Sequence, residues 1–219
     1  MRQTKMTQVL LIRHAANASL DRGVIAGRAP GVHLSPEGEA QAESLARRLA
    51  SLEIQAIYAS PLERTMETAQ IIAAPHDLAV TALEDLQEAD FGAWAGASLE
   101  DLQQEDLWPT VQFTPSQVRF PGGESPREMQ SRAVGAIEDL RREHPGQTIG
   151  VVSHGDVIKS VAAFYAGLPL DMFQRIFVGP ASLTILELGG SMPRLVCLND
   201  TGHLSLEQWG EGSVEGVGE

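Results

Sequence analysis

The chain has 219 residues, of which 43% are hydrophobic, enough for one α/β domain with a substantial core. With 16 Lys and Arg against 29 Asp and Glu the formal net charge is −13, and no basic stripe interrupts it, which argues against nucleic acid as a partner. No apolar run reaches about eighteen residues, the first five residues lack a secretory hydrophobic stretch, and the single Cys197 permits no internal disulfide, so a cytoplasmic protein without membrane contact is expected.

In chain order, the apolar run at 9–12 stops at Arg13-His14. Such a run, bounded by polar residues, reads as a strand buried on both faces of a parallel sheet. A residue just past it lies at the carboxyl end, where open α/β sheets form their ligand crevice. The stretch 17–34, with Arg22, Gly27, Arg28, Pro30 and Gly31, is a long loop placed to overhang that crevice. Ser35-Pro36 opens a helix to about Leu52, with Leu45, Leu49 and Leu52 as its apolar stripe.

A second strand at 54–59 leads into Ser60-Pro61-Leu62-Glu63-Arg64, which carries a serine cap, a proline at the first helical position and a glutamate three residues after the cap. Arg64 then lies in a first helical turn, where open N–H groups and an arginine fork favour an anion. Taken alone, Arg64 pairs equally well with Glu63 or Glu67 on a solvated face. Glu88 opens a loop rich in Gly and aromatics, a packed turn over a pocket, although by itself it is one acid among many. The segment 98–123, with Trp108, Phe113 and Phe120, forms a second wall whose aromatics either line a pocket or pack as lid core.

Ser125-Pro126-Arg127-Glu128 repeats the cap signature before Met129, Ala133, Ile137 and Leu140, and that helix stops near His144-Pro145-Gly146. The run at 149–152 ends at Ser153-His154-Gly155, a second histidine past a strand end. A third helix follows to about Gly167, and two late strands at 183–188 and 194–198 pair as a hairpin across Gly189-Gly190. Alternating strands and helices predict a three-layer α/β/α sandwich. Residues 1–206 form the single domain, and the Gly- and Glu-rich 207–219 is expected to be a flexible acidic tail.

Together, Leu11-Ile12-Arg13-His14, Ser60-Pro61-Leu62-x-Arg64-x-x-x-Thr68-Ala69, Glu88-x-x-Phe91-Gly92-x-Trp94-x-Gly96 and Ser153-His154-Gly155 resemble the histidine phosphatase superfamily, the phosphoglycerate mutase-like group. The resemblance runs in order from about Gln8 to His154. It implies a mostly parallel sheet with an antiparallel member at its edge. It also implies that His14 attacks a small phosphate monoester to give a phosphohistidine, that Arg13, Arg64 and His154 hold the phosphoryl oxygens, and that Glu88 protonates the leaving oxygen. No cofactor is implied, and the six histidines show no zinc-type spacing, so no metal is expected.

The first motif departs from the family's pattern at two places. Ala15 stands where Gly is usual, and Leu20 stands where a polar phosphate ligand is common. Asn17, where Thr is common, supplies an amide contact to phosphate in this reading, and Arg28 reaches an acidic or second phosphate group of the substrate unless it is only a surface arginine.

Phosphoglycerate mutases of the group carry a basic cluster after the acid motif, whereas only Arg119 falls between Glu88 and Gly123 here, which favours a phosphatase over the mutase alternative. A silent phospho-ligand adaptor, the third reading, is expected to lose His14, Glu88 or His154, and all are present. The late edge strands make a homodimer the expected assembly.

Overall fold

A computed structural model describes residues 5–190, 192–205 and 208. The expected acidic tail at 207–219 thus lies outside the described residues, apart from Gln208. The elements are β1 (Thr7–Arg13), α1 (Ala18–Asp21), α2 (Pro36–Leu49), β2 (Ala56–Ala59), α3 (Glu63–Ala73), β3 (Val80–Ala82), α4 (Leu99–Leu102), α5 (Trp108–Phe113), α6 (Pro126–Glu143), β4 (Thr148–Ser153), α7 (Gly155–Tyr165), β5 (Leu183–Leu188) and β6 (Arg194–Asp200).

The strands form one six-stranded sheet in the order β3-β2-β4-β1-β5-β6. The pairs among β3, β2, β4 and β1 are all parallel, and β5 is antiparallel to both β1 and β6. The antiparallel member therefore sits one place in from the edge, because the β5–β6 hairpin adds β6 outside it. β3 was not visible in the sequence. Its three residues, two of them exposed, are too few to show an alternation.

The sheet is covered on both faces, and β1 shows why. Side chains alternate along a strand. Val9 and Leu11 enter one core with Met129, Ala133, Ile137 and Leu140 of α6 and Val157, Ile158 and Val161 of α7. Leu10 and Ile12 enter the other with Leu45 and Leu49 of α2 and Ala69 and Ile72 of α3. This is the three-layer sandwich.

The predicted stripe of α2 loses its last member, because the helix ends at Leu49 and Leu52 turns out to solvent while Ile54 is buried in its place. α6 has the full capping box, with Ser125 and Glu128 exchanging side-chain and backbone bonds. In the segment over the sheet end, Phe120 packs against Phe91 and Trp94, and Trp108 lies against Trp94. Phe113 is exposed and belongs to neither wall nor core.

One contact fixes how α2 approaches the loop after β1. A Cβ built on Gly38 would lie 2.0 Å from the Ala16 carbonyl oxygen, a separation no side chain tolerates, so the residue must be glycine for the two segments to touch. Gly135 in α6 is different, with nothing within 4 Å of its Cβ position. Substitution by alanine should therefore act with opposite signs at the two sites. Gly38→Ala is expected to lower stability by about 1–3 kcal/mol through overpacking, and Gly135→Ala to raise it by up to about 1 kcal/mol through helix propensity. Urea midpoints at unchanged slope measure both.

Candidate active site

Three parallel strand ends supply the site. β1 and β4 pair in register through Arg13 and Ser153, so the next residue of each strand emerges at the same level. The His14 N–H donates to the Ser153 carbonyl at 2.9 Å, which brings the imidazoles of His14 and His154 to 5.4 Å between centroids. β2, on the far side of β4, ends at Ala59, and the N–H of the next residue, Ser60, donates to the Val152 carbonyl. The chain past His14 is held extended by helix side chains. The Ala15 N–H donates to Thr68 Oγ1 of α3 at 3.1 Å and the Ala16 N–H to Gln41 Oε1 of α2 at 3.0 Å.

Ser60 does not cap α3, contrary to its sequence pattern. The helix begins at Glu63 with Leu62 in the cap position and no side-chain cap bond. Ser60 Oγ instead lies 2.8 Å from His154 Nε2. α7 likewise begins at Gly155 with no side-chain bond from its cap residue, His154. Neither helix is therefore closed by a hydrogen bond from its cap side chain.

The ring tautomers follow from the partners. His14 Nδ1 faces the Ala15 carbonyl at 2.8 Å, an obligate acceptor, so Nδ1 carries the proton and Nε2 holds a free lone pair. Asn17 Nδ2, 3.4 Å from the same Nδ1, is also a donor and only packs there. The Asn17 Oδ1 accepts from the Ser19 and Leu20 N–H groups and caps α1. Arg64 Nη2 donates to His154 Nδ1 at 3.1 Å, so that ring must donate from Nε2 to Ser60. Burial lowers the pKa of both histidines well below the usual value, and the positive charge of Arg64 adds to it. Both imidazoles are neutral at pH 7.

Arg64 is 2% exposed, which excludes the solvated pairing with Glu63 or Glu67. Those acids are engaged elsewhere, Glu63 with the Gly31 N–H and Glu67 with His33 and the Leu34 N–H. Arg64 Nη2 also donates to the Gly27 carbonyl at 2.8 Å, and Arg13 Nη1 to the Val178 carbonyl at 2.6 Å. Arg13 Nε and Arg64 Nη1 are buried without a hydrogen-bond partner. Gly155 permits the first of these placements, since its Cβ would sit 3.3 Å from Arg13 Nε.

Glu88 completes the cluster. Its Oε2 is 3.8 Å from His154 Nδ1 and its Oε1 accepts from the Ala89 N–H at 2.9 Å. Burial, with the nearby negative charge of Asp156, pushes this carboxyl up to about 7 against the pull of Arg64 and Arg13. The structure thus gathers His14, His154, Arg13, Arg64, Glu88 and Asn17. Arg28 bonds within the protein, its Nε donating to the Glu88 carbonyl and its Nη2 to Glu124.

A family model for the histidine phosphatase superfamily (branch 1) matches residues 9–201. The chain belongs to this superfamily. Among relatives of this histidine phosphatase, phosphoserine phosphatase 1 of Hydrogenobacter thermophilus is 32% identical over 202 residues, covering 91% of this chain and 95% of that protein. Among solved structures, a phosphoserine phosphatase variant from Entamoeba histolytica in complex with phosphoserine aligns with a TM-score of 0.84 at 28% identity, over 91% of this chain and all of that one. The Entamoeba enzyme in complex with 3-phosphoglyceric acid aligns at 0.80 and 28% over the same shares.

Sequence reading of this histidine phosphatase missed two side chains in the site. Ser60 carries a capping signature that masks its bond to His154. Asp156 carries no signal beyond its place after Gly155, and it acts on Glu88 and Arg13 through space. Because the Glu88 pKa rises on folding from 4.5 to about 7, its contribution to stability is fully present below pH 4.5 and is lost as pH rises through 7. Glu88→Gln removes that loss. The variant's stability relative to wild type is therefore expected to grow between pH 5 and pH 8, by on the order of 3 kcal/mol at most, as read from urea unfolding at the two pH values.

Proposed function

We propose that the chain hydrolyses small phosphate monoesters through a covalent phosphohistidine at His14, with no metal ion in the reaction. The observation that carries this reading is the pair of buried, unpartnered guanidinium N–H groups, Arg13 Nε and Arg64 Nη1, beside a neutral imidazole whose Nε2 lone pair is free. Phosphoryl oxygens satisfy those donors, and the fixed cations stabilise charge that grows on the oxygens in the transition state.

In the first step His14 Nε2 forms the N–P bond as the ester P–O bond breaks, and Glu88 gives its proton to the departing oxygen. In the second, water attacks phosphorus, the N–P bond breaks, and the Glu88 carboxylate takes the water's proton. A carboxyl poised at about 7 serves both directions near neutral pH. His154, held by Ser60, stands beside His14 and accepts from Arg64 at Nδ1, which orients that guanidinium for the oxygens.

Hydrolysis is favoured over transfer back to a bound alcohol. Arg119 donates to the Gly123 carbonyl and to Glu128, so it is not free to keep a released hydroxy acid beside the phosphoenzyme. The ligands and activities named for the three relatives above involve phosphorylated small carboxylic acids, and we take O-phosphoserine as the first member of that class to test. As part of the same reading we place the enzyme in the cytoplasm and expect two copies to pair along the open β6 edge, where Val196 and Leu198 are exposed. No described helix is long and apolar enough to cross a membrane. Sedimentation of a species near twice the chain's 23.5 kDa tests the pairing.

Phosphate release from O-phosphoserine, 3-phosphoglycerate and aryl phosphates, measured with chelator present, tests the activity. His14→Ala is expected to lower kcat by at least about 10³-fold and to abolish the acid-labile phosphoenzyme seen after rapid quench. Vanadate is expected to inhibit. Full turnover in His14→Ala removes the covalent mechanism.

A further inference from the structure

We propose that Arg132, locked by Glu124, is a positioning residue that fixes the main chain carrying Glu88 and so aims the proton donor at the leaving oxygen. The inference rests on the reading of Glu88 as that donor. Residues 85–88 are unusual in where their carbonyls point. Four consecutive carbonyl oxygens accept hydrogen bonds from side chains. Arg132 Nη1 reaches the oxygens of Asp85 (2.8 Å) and Gln87 (2.7 Å), and Nη2 that of Glu88 (3.1 Å). Ser153 Oγ takes that of Leu86 at 2.8 Å, tying the segment to the end of β4 one residue before His154.

The remaining donors of the guanidinium go to Glu124, Nε to Oε2 at 3.0 Å and Nη2 to Oε1 at 2.6 Å. All five N–H groups of Arg132 are therefore used, three on the Glu88 segment and two on one carboxylate. Glu124 is equally committed, because its Oε1 also accepts from Arg28 Nη2 and from the Asp90 N–H. The pair is 16% and 14% exposed. A bidentate ion pair at this depth is far more rigid than a surface one, where entropy and screening erase most of the gain.

This arrangement matters for catalysis because Glu88 itself has few restraints. Its carboxylate bonds only to the adjacent Ala89 N–H and stands 3.8 Å from His154. Its direction is thus set by the backbone from which it springs. Lysine at position 132 keeps the charge but has three donors on a flexible stem and cannot reproduce the planar fork. A misdirected acid slows only reactions whose leaving group needs a proton. An alkoxide does, and 2,4-dinitrophenolate does not.

The test compares kcat/KM for O-phosphoserine and for 2,4-dinitrophenyl phosphate in wild type, Glu88→Gln, Arg132→Lys and Glu124→Gln, and in Glu88→Gln combined with Arg132→Lys. Glu88→Gln should lower the phosphoserine value by about 10²-fold or more relative to the aryl ester. Arg132→Lys and Glu124→Gln should each show the same bias, at about tenfold, and Arg132→Lys should add none in the Glu88→Gln background. Equal losses on both substrates, or a bias that persists without Glu88, overturns the proposal. If Glu88→Gln itself shows no bias, its role as proton donor fails and the proposal falls with it. If Arg132→Lys does not fold, Glu124→Gln decides alone, since it keeps the shape of the carboxylate it replaces.

Discussion

Two buried guanidiniums, Arg13 at the end of β1 and Arg64 in the first turn of α3, impose the constraint from which the site follows. Arg13 and Arg64 cannot shed their protons, and their nearest bonds are to the neutral carbonyls of Val178 and Gly27 and to a neutral imidazole. The one carboxyl close enough to act on both, Glu88, is itself raised to about 7 and is partly protonated at neutral pH. Positive charge is thereby left available in a place from which water is largely excluded. A dianionic phosphoryl group is the natural complement, and its arrival shifts each local equilibrium in a useful direction. It offers acceptors to the open donors, and it further disfavours ionisation of Glu88, which keeps the proton in place until the leaving oxygen needs it.

The scaffold steadies this charge cluster by holding several stretches of its backbone from outside it. The N–H groups of Ala15 and Ala16 are taken by Thr68 and Gln41, the carbonyls of 85–88 by Arg132 and Ser153, and the Glu124 N–H by the Asp90 carbonyl. Two open donors in the pocket, Arg13 Nε and Arg64 Nη1, are on side chains. That distinction is physical. Backbone donors locked into secondary structure cannot follow a phosphoryl group as it moves from ester oxygen to nitrogen, whereas side chains anchored by one donor and free at another can.

Most of the fold was legible because burial on two faces writes a strong signal. The runs at 9–12 and 149–152 had to be central strands, and the Ser125 box and the α6 stripe placed that helix to within a residue. The site was legible to the extent that its residues sit directly after those elements, as His14, Arg13 and His154 do. What failed had competing explanations of equal local merit. Ser60 satisfies the rules for a helix cap, yet the neighbouring imidazole claims its hydroxyl and the helix starts three residues later. Leu52 continues the α2 spacing, yet the helix ends at Leu49 and the turn carries it outward. The acceptors of Arg28, read as either a substrate contact or a surface arginine, were not foreseen, because Glu124 and the Glu88 carbonyl lie 96 and 60 residues away in sequence. Long-range polar pairing of this kind leaves no periodicity behind.

The loop that follows β1 gains a different meaning from its two adjacent anchors. Gly27 offers its carbonyl to Arg64, and Arg28, the next residue, donates to the carbonyl of Glu88 and to Glu124. A single peptide unit thus connects the Arg64 guanidinium with the backbone of Glu88. A Cβ on Gly27, whose φ is +53°, would also meet the ring of Phe91 at 3.3 Å, so the left-handed turn is fixed by the aromatic packing of the second wall. The Arg64 guanidinium and the main chain of Glu88 are therefore joined through one turn, and the segment expected to overhang the pocket is also the tie between them.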